Sequence, residues 1–346
     1  MRRGRLRSNS TRTPRDSPRA KSVSARSECI HRLLWALTLP AHLSTIWRPH
    51  LPPKHDRRDH TMKIAGVQMD ISITDNAGNV ARMVEQLKAA AREGARLVVF
   101  PECAVPGYCF GSLAEALPFA EPIEGPAVTR MTTACREQNC YTVFGMLERD
   151  GDRVFNIAIL TGPKGLIGVY RKVHLPYLGI DMFTTPGDRP FAIHEVEGVR
   201  IGMLICYDAA FPEATRSLAL QGADLIVLPT NWPPGAEIMA SSSIQCRAME
   251  NQIYFAAVNR VGEERGFKFI GESSICTTNG QVMARAAGTE AAILYANVDP
   301  LVARQKRIVR VPEKHIIDRM ADRRPEFYGL VTQPHSLNTP RQDRAG

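Results

Sequence analysis

The chain has 346 residues, 44% of them apolar and 23% charged, enough for one or two globular domains with a substantial core. Its formal net charge of +9 points at first to an anionic partner, but residues 1–61 hold 14 Lys/Arg against 4 Asp/Glu while the remaining 285 residues hold 30 against 31. The near-neutral body therefore gives no ground for nucleic-acid or membrane binding, and none of the eight cysteines forms the Cys-x-x-Cys pair of a zinc or dithiol motif.

Residues 1–61, rich in Arg, Ser and Pro, cannot build a core and read as a disordered basic extension. Within them "LLWALTLPAHLSTIW" (33–47) is broken by Pro40 and His42 and is too short to span a bilayer. Met62 in "TMKIAGVQMD" reads as the start of the body, with the upstream stretch an over-extended translation. A dispensable arm and a targeting segment are the alternatives. No other run approaches transmembrane length. The expectation is a soluble, cytoplasmic protein whose thiols are mostly buried and reduced.

In the body, "KIAGVQM" (63–69) is a short apolar run that predicts a buried strand. Residues 79–93 then place Val80, Met83, Val84, Leu87, Ala90 and Ala91 on one helical face, with Gly94 as a C-terminal cap. "RLVVFPE" (96–102) predicts a second strand, and Pro126 opens a helix over 126–138. "CYTVFGMLER", "VFNIAILTG" and "LIGVYRKVHLP" follow, joined by turns at Asp150-Gly151 and Pro163-Lys164-Gly165, and predict an antiparallel meander. Further strands are expected in "VRIGMLICYD", "ADLIVLPT", "QIYFAAVNRV", "FIGESSICTT" and "AAILYANVD", with helices at 212–221 and 237–250. Residues 300–346 read as an extended charged arm with one short helix. This mixture implies an α/β fold with helices outside packed sheets. Neither GxGxxG nor GxxxxGK[ST] is present, which argues against nucleotide chemistry.

Three apolar runs end on reactive side chains: "LVVFPE" on Glu102, "IGVYRK" on Lys172 and "IGMLIC" on Cys206. Taken singly, these read as a helix cap or ion-pair member, a solvated charge and a small core residue. Together, at strand ends where ligands gather in α/β folds, they read as a desolvated base, a stabilising cation and a nucleophile. A thiol opening a helix beside an ammonium is expected to be driven towards thiolate.

"VVFPECAVPGY" (98–108), "YRKVHLP" (170–176) and "GMLICYDAAFPE" (202–213) resemble the three signature blocks of the nitrilase superfamily, the carbon–nitrogen hydrolases. "GVQMD", "TPGD", "ADLIVLPTNW", "RAMENQIYFAAVNRVG" and "FIGESSI" add to the resemblance, which covers about residues 62–310. It implies a four-layer α-β-β-α sandwich over 62–310, with residues 311–346 as an arm for oligomer packing and then disorder. By motif it implies Glu102 as general base, Lys172 as stabilising cation and Cys206 as nucleophile. The backbone N–H of Tyr207 is the expected oxyanion donor. The family's second glutamate is missing after the lysine, and Asp181 is the nearest carboxylate, set against loop capping or a surface ion pair. Asn231, Trp232 and Tyr108 are pocket candidates. No cofactor or metal is expected. The partners implied are a small amide or nitrile substrate and a second copy of the chain, as a homodimer or higher homo-oligomer.

Cys206-Tyr207-Asp208 resembles the amidase and carbamoyl-hydrolase branches, because true nitrilases usually carry Trp-Glu after the cysteine. Ala209-Ala210-Phe211 stands where carboxylate-binding members carry arginine. The expected activity is hydrolysis of a small neutral or aliphatic amide through a cysteine thioester, with ammonia release. Direct nitrile hydrolysis, N-carbamoyl hydrolysis and a non-catalytic binding protein are the alternatives. A papain-like Cys–His enzyme is not supported, since none of His174, His194 and His315 sits in a suitable block.

Overall fold

Central strands buried on both faces set the architecture. A computed structural model describes residues 61–343, so the expectations placed on residues 1–60 lie outside the described residues. In chain order the strands are β1 (Met62–Gln68), β2 (Leu97–Val99), β3 (Tyr141–Asp150), β4 (Arg153–Gly162), β5 (Gly165–Arg171), β6 (Ile193–Val196), β7 (Val199–Met203) and β8 (Leu225–Thr230). They continue with β9 (Tyr254–Asn259), β10 (Glu263–Glu264), β11 (Phe267–Lys268), β12 (Ser274–Cys276), β13 (Val282–Arg285), β14 (Ala292–Val298), β15 (Arg307–Val311) and β16 (His315–Asp318). The α-helices are α1 (Asn76–Arg92), α2 (Leu113–Ala116), α3 (Pro126–Gln138), α4 (Pro212–Leu220), α5 (Ile244–Asn251), α6 (Pro300–Arg304) and α7 (Pro340–Asp343).

Two six-stranded sheets carry the fold, in the orders β14-β1-β2-β3-β4-β5 and β13-β12-β9-β8-β7-β6. In the first, β1, β2 and β3 run parallel, and β4, β5 and β14 are antiparallel additions. In the second, β7, β8 and β9 run parallel. Leu97 and Val99 of β2 face the second sheet, together with Ile64, Val143, Ala158 and Leu160. Their neighbours Val98, Phe144, Ile157 and Ile159 face α1 and α3 on the other side. Sheet packs on sheet through β1 on β9 and β3 on β8, while α4 and α5 cover the far face. The result is the expected four-layer α-β-β-α sandwich. Each fully buried large apolar side chain contributes about 1.5–3 kcal/mol to holding the layers together. Among the described residues no helix is long and apolar enough to cross a membrane.

Local chemistry explains where the elements differ from the sequence reading. Helix α1 begins three residues earlier than expected, because Asp75 caps it by accepting from Gly78 N at 2.9 Å. The strand expected over 269–278 shrinks to β12, since Gly271 (φ +65°) and Glu272 (φ +57°) take left-handed conformations that a strand does not admit. Edge strand β6 went unread: "IHEV" is too short and mixed to show a period. The arm folds into α6, the β15–β16 hairpin and α7, so it holds two short α-helices where one was expected.

Parallel strands aligned in this way bring their C-terminal ends to one edge. Glu102 follows β2, Cys206 follows β7, Asn231 follows β8 and Arg260 follows β9. Strand β5, antiparallel to β4 and so running the same way as β3, ends on Arg171 and delivers Lys172 immediately after it.

Candidate active site

At the end of β5, Arg171 and the next residue, Lys172, send their side chains two ways. Arg171 is buried in a bidentate pair with Glu148 (2.7 and 2.6 Å), lying on the Phe155 ring with 3.8 Å to the centroid. Lys172 points to the opposite side and is wholly buried. Its Nζ donates to Glu102 Oε1 at 2.6 Å and to Asp181 Oδ2 at 2.5 Å. An ammonium has three protons. Two are committed here, and the third remains for another acceptor.

Glu102 and Asp181 are both fully buried, and Asn156 bridges them. Its Nδ2 donates to Glu102 Oε1 at 2.7 Å and to Asp181 Oδ1 at 2.9 Å. The Cys103 thiol donates to Asn156 Oδ1 at 3.5 Å, which fixes the amide's orientation. The single proton of the Tyr108 hydroxyl is shared between Asp181 Oδ2 at 2.9 Å and Leu178 O at 3.0 Å. Gly145 allows the Glu102 loop to lie against β3: a Cβ there would stand 2.3 Å from Cys103 N and 2.6 Å from Glu102 Cα.

One oxygen stands apart. Glu102 Oε2 is buried with no hydrogen-bond partner among the described residues. Burial raises the Glu102 carboxyl to about 6, with the Lys172 ammonium opposing and the Asp181 charge assisting. Burial works against the Lys172 ammonium, yet Asp181 and Glu102 hold it well above the ordinary lysine value. Burial, reinforced by Asp181, pushes the Tyr108 phenol well above its ordinary value, so it remains a donor.

Cys206 sits between β7 and α4 at φ +45°, a left-handed conformation that costs a non-glycine residue about 1–3 kcal/mol. Asp208 holds this elbow in place. Its buried carboxylate accepts from Ile205 N (2.9 Å), the Tyr170 hydroxyl (2.8 Å) and His174 N (3.1 Å), and lies 2.7 Å from His174 Nδ1. Arg247 of α5 donates through Nε to Ala209 O at 3.0 Å from the other side. His174 stacks on Phe211 at 3.8 Å between centroids.

The thiol departs from expectation. Burial and the Glu102 charge push it up to about 12, against Lys172, the Thr230 hydroxyl and the Asn231 N–H. The segment it opens, Cys206–Ala210, is one short 3₁₀ turn, and α4 starts only at Pro212, so no long helix aims its dipole at the sulfur. Cys206 is therefore a neutral thiol, and it needs a base to become a nucleophile. An unpartnered carboxylate oxygen, Glu102 Oε2, lies within the same buried cluster.

The structure thus brings together Glu102, Lys172, Cys206, Asp181 and Tyr108. Asp181 is a buried partner of the lysine rather than a loop cap or surface ion pair. Asn231 is buried beside the thiol, with neither amide atom of its side chain hydrogen-bonded among the described residues. Trp232 packs into the hydrophobic core, and its backbone N–H donates to Asn259 Oδ1 at 2.8 Å. The Tyr207 side chain is 42% exposed. The sequence reading left out Asn156 and Asp208. A signal for the first existed: a lone amide inside the apolar run Val154–Leu160 must find buried partners. Among the described residues no group of three or more His, Cys, Asp or Glu side chains is arranged to hold a metal ion.

Residues 63–307 match the model of the carbon-nitrogen hydrolase family. A protein of Pyrococcus abyssi named nitrilase is 38% identical over 77% of this chain and 99% of its own length. An (R)-stereoselective amidase of Pseudomonas sp. is 34% identical over 71% and 88%, and the human omega-amidase 30% identical over 69% and 89%. Among solved structures, a variant of the amidase from Nesterenkonia sp. AN1 superposes with a TM-score of 0.62 and 25% identity, covering 72% of this chain and 95% of that one. Its active-site cysteine carries the acetamide moiety of fluoroacetamide. Another structure of that amidase, with acrylamide added at the active-site cysteine, gives a TM-score of 0.64 and 25% identity over 77% and 98%.

Proposed function

As this chain belongs to the carbon–nitrogen hydrolase family and is an enzyme of its amidase and nitrilase type, we propose that it hydrolyses a small neutral or aliphatic amide through a thioester on Cys206. The observation that carries this reading is the buried, unpartnered Oε2 of Glu102 in the cluster that holds a neutral thiol and a committed ammonium. Glu102 Oε2 takes the thiol proton as Sγ attacks the carbonyl carbon. The third proton of Lys172 and the backbone N–H of Tyr207 hold the negative charge that develops on oxygen. The tetrahedral species collapses, and the C–N bond breaks as Glu102 returns its proton to the leaving nitrogen. Ammonia departs and a thioester remains. Glu102 then deprotonates water, which attacks the thioester and releases the acid and the thiol. Asp181, Asn156 and Tyr108 keep the lysine and glutamate in register. Asn231 supplies an otherwise orphaned amide to the polar end of the substrate, since a buried carboxamide without partners is costly.

This mechanism needs Glu102 ionised. Its carboxyl is raised to about 6, so the proton it binds as pH falls removes the base, whereas the thiol at about 12 stays protonated across the neutral range. The expected kcat/KM profile therefore rises with pH through an apparent pKa of about 6 and shows no thiolate limb below pH 9 or so. A profile rising instead with an apparent pKa of about 8–9, the range of an ordinary thiol, would count against Glu102 as base.

Direct nitrile hydrolysis is the second reading, favoured by the name of the Pyrococcus abyssi relative. Paired aliphatic amides and nitriles, with N-carbamoyl compounds alongside, separate the two when ammonia and acid are both quantified. The expected result is acid from the amide at a rate at least about tenfold above that from the matched nitrile. Clean acid from a nitrile with no turnover of the amide would reverse the preference.

A further inference from the structure

A further buried carboxylate, outside the catalytic cluster, holds the loop that carries Tyr108. Glu264, in the two-residue strand β10, has a side chain only 1% exposed. Its Oε2 accepts from the backbone N–H groups of Tyr108 (2.8 Å) and Cys109 (2.6 Å). Its Oε1 accepts from Arg260 Nη1 at 2.6 Å. Arg260 is wholly buried, donates also to Ile71 O at 2.6 Å, and lies over the Phe269 ring with 4.2 Å to the centroid. Gly107 makes the approach possible: it sits at φ +89°, and a Cβ there would stand 2.9 Å from Glu264 Oε1. From this pinned loop Tyr108 reaches Asp181, and Asp181 reaches Lys172. One continuous chain of short polar contacts thus runs from Arg260 at the end of β9 in the second sheet to Lys172 at the end of β5 in the first.

We propose that Glu264 is a positioning residue for the hydrolysis. By fixing the backbone at Tyr108 and Cys109 it places the Tyr108 hydroxyl on Asp181, and through Asp181 it sets where the Lys172 ammonium stands relative to Cys206. The proposal rests on the catalytic reading above. A carboxylate that served only to neutralise Arg260 would need one oxygen for that. Here the other oxygen takes two backbone donors of the loop adjoining the site, and a shift of about 1 Å in such a support costs about 10²-fold in rate.

The test is steady-state kinetics of E264A, E264Q, Y108F and E264A/Y108F on the best amide, with each variant's fold checked by thermal melting. E264A is expected to lower kcat by about tenfold or more while KM moves by less than about threefold. E264Q keeps an acceptor oxygen for the two N–H groups and should recover most of that loss. In the Y108F background E264A should cost less than about twofold more, because both act through one hydroxyl. If E264A does not fold, E264D replaces it in the cycle: it keeps the charge facing Arg260 but draws its oxygens back from the loop. Wild-type kcat in E264A or E264D overturns the proposal, and so does a loss that multiplies undiminished onto Y108F. An active Cys206→Ala variant would overturn the catalytic reading instead, which keeps the two failures distinct.

Discussion

Cys206→Ala is expected to fold and to lose turnover of the amide by at least about 10⁴-fold, the scale at which removal of a covalent nucleophile registers. No neighbour can replace the sulfur. Cys103 is the other buried thiol of the cluster, but it donates to Asn156 Oδ1 and is pushed well above the ordinary thiol value by burial and the Glu102 charge. Stability should change by no more than about 2 kcal/mol, because alanine keeps the same left-handed backbone strain and removes only one small atom. The measurement pairs ammonia release with thermal melting. A variant with wild-type turnover would remove Cys206 from the mechanism.

Lys172→Met is the second large effect, and it should fall on stability and activity together. The substitution leaves Glu102 and Asp181, both fully buried, without the cation that binds them. Breaking a buried pair by removing one partner costs about 3–5 kcal/mol, since an uncompensated charge stays behind. The chemistry suffers twice. The developing oxyanion loses a charge-assisted donor, worth about 10²–10³-fold. The Glu102 carboxyl, already at about 6, loses the opposing influence that holds it there and moves higher. It is then protonated at neutral pH and cannot serve as the base. Denaturant titration together with the pH profile of residual activity checks this. The acid limb should move above the wild-type value of about 6. A variant of wild-type stability with an unmoved limb would contradict the assignment of Lys172.

Much of this was legible in the sequence because the informative residues break a pattern. Glu102, Lys172 and Cys206 each end an apolar run, and the runs themselves predicted the strands that carry them. Leu97, Val98 and Val99 could be read as a strand buried on both faces, and the structure distributes them to two different cores. Asn156 was less legible. Its partners come from the loop after β2 and the turn at Asp181, and no local pattern joins those segments. The ionisation state of Cys206 was misread for a physical reason. A thiol next to a lysine suggests a thiolate, but burial between two sheets and the charge of Glu102 outweigh that lysine. Glu264 was also invisible, since nothing around "GEERG" announces that its side chain reaches back to Tyr108.

The central claim is a covalent thioester on Cys206, and mass spectrometry of enzyme quenched during turnover tests it most directly. Protein incubated with excess amide and stopped in acid should carry the acyl group as added mass, and digestion should place that mass on the peptide containing Cys206. An acyl group found on Cys103 or Cys109 instead, or its absence from Cys206 while acid is released at the full steady-state rate by a Cys206→Ala variant, would contradict the account.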